Sequence, residues 1–528
     1  MSEPAAIQYR PLRAPREHGA TLIEPPLEQL PHLLRRNRML LAARHGEMLG
    51  LGLAAAARQA RRELIEQALA YTRAYRDVTV PTSGDAPLLL TGHQPELYHP
   101  GVWFKNFALS ASARRLDAHA IHLLIDNDAV SAPAIRVPVG SPERPRVERV
   151  ALDAASPEVP YEERSILSSD LFSSFGSRIR ARLSDSIARP VVDSLWPLAR
   201  SAASRTGRLG LAVSQARHRL EGEWGLMTCE LPLSVVCQGA VFRHFAAHLL
   251  AELPRFREAY NESLREYRRV HRLRSRTHPV PELAVRDGWL ESPFWIWSSE
   301  HPQRRRLHIQ RHPQRLAVSD LAHVFHEFHW KSDGNAADLV AQMDELERRG
   351  VRLRPRALIT TMFARLFLGD VFFHGIGGAK YDQLTDVIIA RFFGIEPPAF
   401  VVLTATAQLF PVPTNRAQSE LLRIRQTLRD LRFNPQRHLP RNEQAESLIA
   451  EKLRWLHDPP VNDRRLRHRM IERINADLQP HVSVEAQRLT AEQERIELAR
   501  NSQHIAGSRE YSFCLHPTDA LRSFLLDI

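Results

Sequence analysis

Cysteine is nearly absent from this chain of 528 residues: Cys229, Cys237 and Cys514 are the only three. Their spacing matches no thiolate metal motif, and three thiols cannot form a disulfide framework. A Cys-rich zinc site and a disulfide-stapled scaffold are both excluded, and a reducing, cytoplasmic location fits. Long apolar runs are missing too. The best stretch, Leu40–Ala60, is interrupted by Arg44, His45, Glu47 and Arg58, which excludes a transmembrane helix and a membrane partner. Residues 1–16 carry no apolar signal core, so secretion is not expected. No internal repeat is visible.

Lysine is the other scarcity. The formal net charge is +12, yet of 72 basic residues 68 are Arg and four are Lys: Lys105, Lys331, Lys380 and Lys452. A basic patch must cluster to focus a field on nucleic acid. Here the arginines are dispersed, usually near Glu or Asp, and the one dense run, Arg265–Arg276, reads as a solvated helix face. Nucleic acid is therefore not the expected partner. In a chain that has replaced almost every Lys by Arg, each surviving ammonium invites a chemical role.

What remains is ordinary globular composition, 43% hydrophobic and 25% charged, in a chain too long for one core. Residues 37–76 read as one or two helices with a break at Gly50–Gly52. Leu88–Leu90 is a short buried strand, a helix covers about 101–116, and His122–Ile125 is a second strand. Strand, loop, helix and strand in about 40 residues make a βαβ unit, hence a parallel sheet with ligands at the strand carboxyl ends. Further on, strands are expected around Val147–Leu152, Leu209–Val213, Gly288–Trp297, Arg306–Ile309 and Ala399–Leu403. Helices are expected over 165–203 and 242–276, and a loop over 372–381. Trp295 and Trp297 should share one strand face and join the core. From Gln418 the chain reads as long helices, with Leu453–Arg500 suiting a helical hairpin or coiled-coil arm and a homodimer contact.

Three constellations carry chemistry. The first is Gly92, His93 and Gln94, followed by His99 at a helix start and Lys105 one turn in. Helix-terminal amides and glycine suit a phosphate or carboxylate, and the histidines could donate to developing negative charge. The second is Asp126-Asn127-Asp128 at the end of the second strand, where paired carboxylates can hold an ammonium, a ribose or Mg²⁺ or act as a base. The third is His374, Gly377, Gly378, Lys380, Tyr381 and Asp382, with Asp386 beyond, where the glycines would form a nest of amides. Each has a plain alternative: a proline-rich connection, turn capping by Asp and Asn, and a tight turn. His323, His326 and His329 repeat at three-residue spacing but read as a surface or strand edge rather than a metal site.

The ordered residues of the first and third constellations are similar to landmarks of the cysteine-adding enzymes of bacillithiol biosynthesis. Leu90-Thr91-Gly92-His93-Gln94-Pro95 resembles that family's Thr-Gly-Gln-Gln start. Leu353-Arg354-Pro355, Gly377-Gly378, Phe393-Gly394 and Pro397-Pro398 follow its later landmarks in order. His93 replaces a Gln, Asn127 a His, and Ala379-Lys380 a Pro and a small or acidic residue, all within the presumed site. The resemblance covers about 88–138 and 352–406 and implies an α/β fold. Its core would be a Rossmann-like parallel sheet of the class I aminoacyl-tRNA-synthetase type, with an inserted middle and a C-terminal long-helix arm. The expected segments are an N-terminal helical region (1–80), two halves of the core (81–215 and 351–415), a connective insertion (216–350) and the arm (416–528). The implied activity is nucleotide-assisted carboxyl–amine ligation, which in the family joins the cysteine carboxyl to the amine of glucosaminyl-malate. It would use ATP or another adenine nucleotide, with or without Mg²⁺, an amino acid and an amine acceptor. His93, His99, Asp126, Asp128 and Lys380 would be catalytic. Gly92, Gln94, Lys105, Asn127, His374, Gly377, Gly378, Tyr381, Asp382 and Asp386 would bind substrate. The competing readings are a non-catalytic scaffold with the same core and an RNA-binding relative of the synthetases.

Overall fold

The computed structural model describes residues 7–9, 12–141, 144–183, 187–275, 277–330, 336–411, 417–439, 443–458 and 463–528. Lys331 and Arg276 lie outside them. The chain opens with β1 (Thr21–Glu24), α1 (Leu30–Ala43) and α2 (Leu53–Arg73), then β2 (Leu88–His93), α3 (Pro100–Leu116) and β3 (His119–Leu124). A hairpin, β4 (Ala134–Ser141) and β5 (Arg144–Ala151), leads to α4 (Ser169–Arg180), α5 (Val192–Thr206) and α6 (Leu209–Glu223). Next come β6 (Cys229–Pro232), α7 (Leu233–Val236), α8 (Ala240–Ala251) and α9 (Leu253–Val270). A second sheet follows: β7 (Trp289–Ser298), β8 (Arg305–His312), β9 (Arg315–Ser319), β10 (Val324–His329), then α10 (Ala336–Arg348) and β11 (Val351–Pro355). The chain then returns with α11 (Ala357–Phe363), β12 (Val371–His374), α12 (Ile376–Phe393) and β13 (Val401–Ala405). It continues through α13 (Ala417–Phe433), α14 (Glu443–His457) and α15 (Arg464–Ala506) and ends in α16 (Thr518–Leu526).

The first sheet has the order β1-β13-β12-β2-β3-β6, parallel throughout except for β1. The strands expected at Leu88–Leu90, His122–Ile125 and Ala399–Leu403 all fall in this one sheet. Every residue of β3 is buried, which is why its sequence is an uninterrupted apolar run with two histidines rather than an alternation. β7 lies between β8 and β11 in the second, antiparallel sheet.

The chain forms two compact units. One unit comprises Met1–Val137, Glu148–Ala407 and Arg509–Ile528; the other comprises Pro138–Val147 and Gln408–Ser508. In the second unit α13 runs antiparallel to α15, with Leu421, Ile424 and Leu431 packed on Val482, Leu489 and Ile496. The seven-residue spacing of the latter three is a coiled-coil seam. Arg425 pairs with Glu497 at 2.7 Å, and α15 is one continuous helix of 43 residues.

Several expectations need correction. Leu209–Val213 is the first turn of α6, not a strand; α6 is buried around most of its circumference, so its apolar run shows no helical stripe. Residues 372–381 are not a loop: β12 ends at His374 and α12 starts at Ile376. Gly375 is the N-cap with φ −75°, so no nest with unusual dihedrals forms. The helix expected to reach 276 ends at Val270. Trp297 is in the core, whereas Trp295 is only partly buried and faces a cleft. His326 and His329 lie on strand β10, and no metal-type cluster occurs among the described residues. Nor is any described helix long and apolar enough to cross a membrane.

The start of β12 is pinned to the start of β2. Asp370, just before β12, accepts the Leu88 N–H on Oδ2 at 2.9 Å and donates its own N–H to the Leu88 carbonyl at 2.8 Å. Its carboxylate pairs with Arg61, and its carbonyl accepts from Asn37 Nδ2 at 2.8 Å. Further along, Thr91 Oγ1 donates to the Phe373 carbonyl at 2.8 Å. Asp370→Ala leaves a buried strand N–H without its acceptor and should cost about 1–3 kcal/mol in urea denaturation. Asp370→Asn keeps an acceptor oxygen and should recover part of that loss.

Candidate functional site

β2 and β12 are neighbours, but their crossovers leave in opposite directions. The chain passes from β2 through α3 to β3 on one side, and from β12 through α12 to β13 on the other. With right-handed crossovers the two helices cover opposite faces, and a crevice opens where the strand order reverses, at the carboxyl ends. A cleft of about 1000 Å³ occupies this position.

Each wall comes from an element whose local sequence places it there. After β2 come Gly92, His93 and Gln94; His99 caps α3, and Lys105 is one turn in. Asn127 and Asp128 follow β3. His374, Gly377, Gly378 and Lys380 come from the end of β12 and the start of α12, whose N-terminus has no side-chain cap. Gly101 permits the α3 N-terminus to approach β13: a Cβ there would stand 2.2 Å from the Ala405 carbonyl oxygen.

Four expected site residues are not in the lining. Asp126 turns away and caps α7, accepting the Ser234 N–H at 2.9 Å and the Ser234 hydroxyl. Burial raises its carboxyl, and the two Ser234 bonds oppose that rise. Tyr381 packs edge-on to His278. Asp382 and Asp386 lie behind the wall on Arg365; Asp382 accepts from Arg365 Nη1 at 2.9 Å and Asp386 pairs with Nη2 at 2.5 Å. A spacing of four residues puts 378, 382 and 386 on one stripe of α12, and only its first turn reaches the cleft.

The remaining lining residues are ordered by neighbours. Gln94 Nε2 donates to Asp128 Oδ2 at 2.8 Å, and Arg304 pairs with Asp128 Oδ1 at 2.7 Å. Asn127 Nδ2 donates to the Pro355 carbonyl at 2.7 Å, tying the β3 end to the second sheet. His99 Nδ1 accepts the Gly101 N–H at 3.1 Å, which leaves its ring proton on Nε2. Burial lowers His99 to about 4, so the ring is neutral near pH 7. Burial, with Lys105 nearby, also holds His93 well below the usual histidine range. Lys105 donates to the Gly92 carbonyl at 2.9 Å. Burial, then the Arg217 charge, lowers its amine to about 7.

Trp295, read from the sequence as core, and residues not singled out there complete the wall: Arg304, Arg306 and Arg356, with Arg13 and Arg509 at other points. The Arg304 and Arg356 guanidiniums lie 4.8 and 4.7 Å from the Trp295 ring centroid. Glu291 fixes Arg356 at 2.9 Å and Arg306 at 3.3 Å. The lining thus carries five arginines and Lys380, besides the half-titrating Lys105, against the carboxylates of Asp128 and Glu510. Such a cleft attracts an anionic ligand. No signal in the sequence marks these arginines, since Arg is everywhere in it. No protein-family model matches this chain and no curated protein matches it, so the cleft itself carries the functional argument.

Lys105 makes the site testable through stability. Its folded-state value lies below that of an exposed lysine. Between about pH 7 and 10 the unfolded chain therefore holds a proton that the folded chain has released. Stability rises with pH across this window, by up to about 1.4 kcal/mol per pH unit. Urea denaturation from pH 7 to 10 should show the wild type gaining on Lys105→Met as pH rises.

Proposed function

We propose that the chain is a small-molecule carboxyl–amine ligase that takes an adenine nucleotide as co-substrate, with a Rossmann-like core of the class I synthetase type. The observation that carries this reading is the surplus of cationic side chains around the switch-point cleft. The uncapped start of α12, with Gly377, Gly378 and Lys380, suits nucleotide phosphates. Asp128 and Arg304, already paired, suit the ammonium and carboxylate of an amino acid. His99 offers Nε2–H to developing negative charge. Among the described residues the lining carboxylates are Asp128 and Glu510, too few for a protein cage, so a Mg²⁺ would arrive on the phosphates.

The landmarks behind the family resemblance support the fold part of this reading. Arg354 pairs in the interior with Glu162 and Glu347 at 2.9 and 2.8 Å. Gly394 ends α12 with φ +68°, and the Pro398 carbonyl accepts from Arg365. These positions hold elements together, so they speak for a shared scaffold more than for a shared substrate.

A thermal-shift series with ATP, AMP and adenosine tests the reading. ATP at a hundred times its dissociation constant should stabilise the protein by about 2.7 kcal/mol, and adenosine much less. Lys380 is exposed, so Lys380→Ala should change intrinsic stability by no more than about 0.5 kcal/mol yet remove most of the ATP effect. Equal shifts in variant and wild type would count against the phosphate role.

We further propose a homodimer through the arm. Leu422, Val484 and Leu498 are 60%, 79% and 52% exposed on its helices, and Val484 and Leu498, two heptads apart on α15, share one face that a second copy could cover. Light scattering at micromolar concentration should give twice the chain mass, and Val484→Glu with Leu498→Glu should halve it.

A further inference from the structure

At the cleft wall stands a histidine backed by a buried carboxylate, and the geometry of this pair goes beyond substrate binding. His374 Nε2 lies 2.6 Å from Asp382 Oδ2. Asp382 also accepts from Thr361 Oγ1 at 2.7 Å and Arg365 Nη1 at 2.9 Å. Arg365 in turn is held by Asp386 and the Pro398 carbonyl. Burial alone would raise the Asp382 carboxyl, but the His374 ring and the Arg365 guanidinium outweigh it and hold it well below the usual range. An ionised, immobile carboxylate keeps the ring proton on Nε2. The ring is wedged between Phe372 and Phe400, with centroids 4.5 and 4.9 Å away, so it cannot turn over without displacing them.

The other nitrogen is free. Among the described residues Nδ1 takes no hydrogen bond, and His374 lines the cleft. Helix α12 passes directly over it. A Cβ at Gly378 would stand 2.8 Å from Nδ1, so glycine at this position leaves that atom uncovered. Neither of the other cleft histidines has this arrangement. His93 turns Nδ1 toward the Gln94 carbonyl, and His99 uses Nδ1 to cap α3. The charged groups around His374 are Asp382 and Asp386 on α12, Arg365 behind them, and Lys105, whose Cδ comes within 3.9 Å of where a Gly375 Cβ would be.

We infer that His374 is the general base that accepts the proton of the incoming amine on Nδ1, with Asp382 as its positioning residue. This rests on the ligase reading above. In the step, the amine nitrogen bonds to the carboxyl carbon of a substrate activated by phosphate from the nucleotide. The carbon–oxygen bond to that phosphate breaks, its electron pair leaving with the phosphate, and the proton lost by nitrogen goes to Nδ1. One nitrogen locked on a buried carboxylate and the other facing substrate is the arrangement that general bases use.

The experiment compares two amines with the full-length protein, ATP and cysteine: glucosaminyl-malate, which is protonated at neutral pH, and hydroxylamine, which is not and needs no base. In His374→Asn, amide formation should fall by about 10²–10⁴-fold while hydroxamate formation falls less than tenfold. Asp382→Asn should lower kcat for the amine without raising KM and shift the rise of the pH–rate profile. If both products fall together in His374→Asn, or neither falls, His374 is not the base and the ligase reading stands. If the wild type makes no hydroxamate with any of the twenty amino acids, the ligase reading falls and takes this inference with it.

Discussion

The pairing of β2 with β12 is the constraint on which the site depends. Leu88 and Asp370 are 282 residues apart in sequence, yet they exchange hydrogen bonds at the sheet centre. Because neighbouring parallel strands rise together, this register sets Gly92 and His93 beside His374 at the carboxyl edge. Every later element of the cleft is positioned from that edge. α3 carries Lys105 inward from one side, and α12 carries Gly378 and Lys380 from the other. A register slip of one residue would turn Thr91 and Phe373 to the opposite faces and dissolve the arrangement.

Electrostatics separates the interior from the cleft. The interior arginines are matched by carboxylates: Arg217 by Glu221 and Glu230, Arg354 by Glu162 and Glu347, Arg365 by Asp382 and Asp386. Such pairs seldom add much stability, but removing one partner strands a charge, so they fix geometry. The cleft arginines are under-matched by comparison, and that imbalance is what an anion would relieve. Burial meanwhile keeps His93 and His99 neutral, so they add donors and acceptors to the wall without adding charge.

Much of the sheet was legible in the sequence because its central strands are short apolar runs closed by polar residues. Leu88–Leu90 and His122–Leu124 announce themselves, and with them Gly92, His93, Asn127 and Asp128. What lay beyond reach depended on direction. Asp126 and Asp128 are two apart and chemically alike; which one faces the ligand edge is decided by the turn after β3 and by Ser234, more than a hundred residues on. Glycines 375, 377 and 378 read as a loop because they lower helix propensity, yet the buried stripe from Ala379 to Phe392 imposes a helix on them. The cleft arginines gave no contrast in a chain rich in arginine, and only the second sheet brings Arg304, Arg306 and Arg356 to the site.

β1, near the start of the chain, completes the sheet by pairing with β13, Thr21 opposite Ala405. During synthesis the first strand therefore has no partner until almost four hundred residues have followed it. At about 5–20 residues per second this is a wait of roughly 20–80 s, long on the scale of aggregation. Throughout it β1 is an unpaired strand edge, whereas α2 can pack on β2, β3 and β6 as soon as residue 232 is made. Its brevity, four residues with none fully buried, limits what the waiting strand can do. The strand that closes this edge of the sheet is thus made about 380 residues before the one it pairs with.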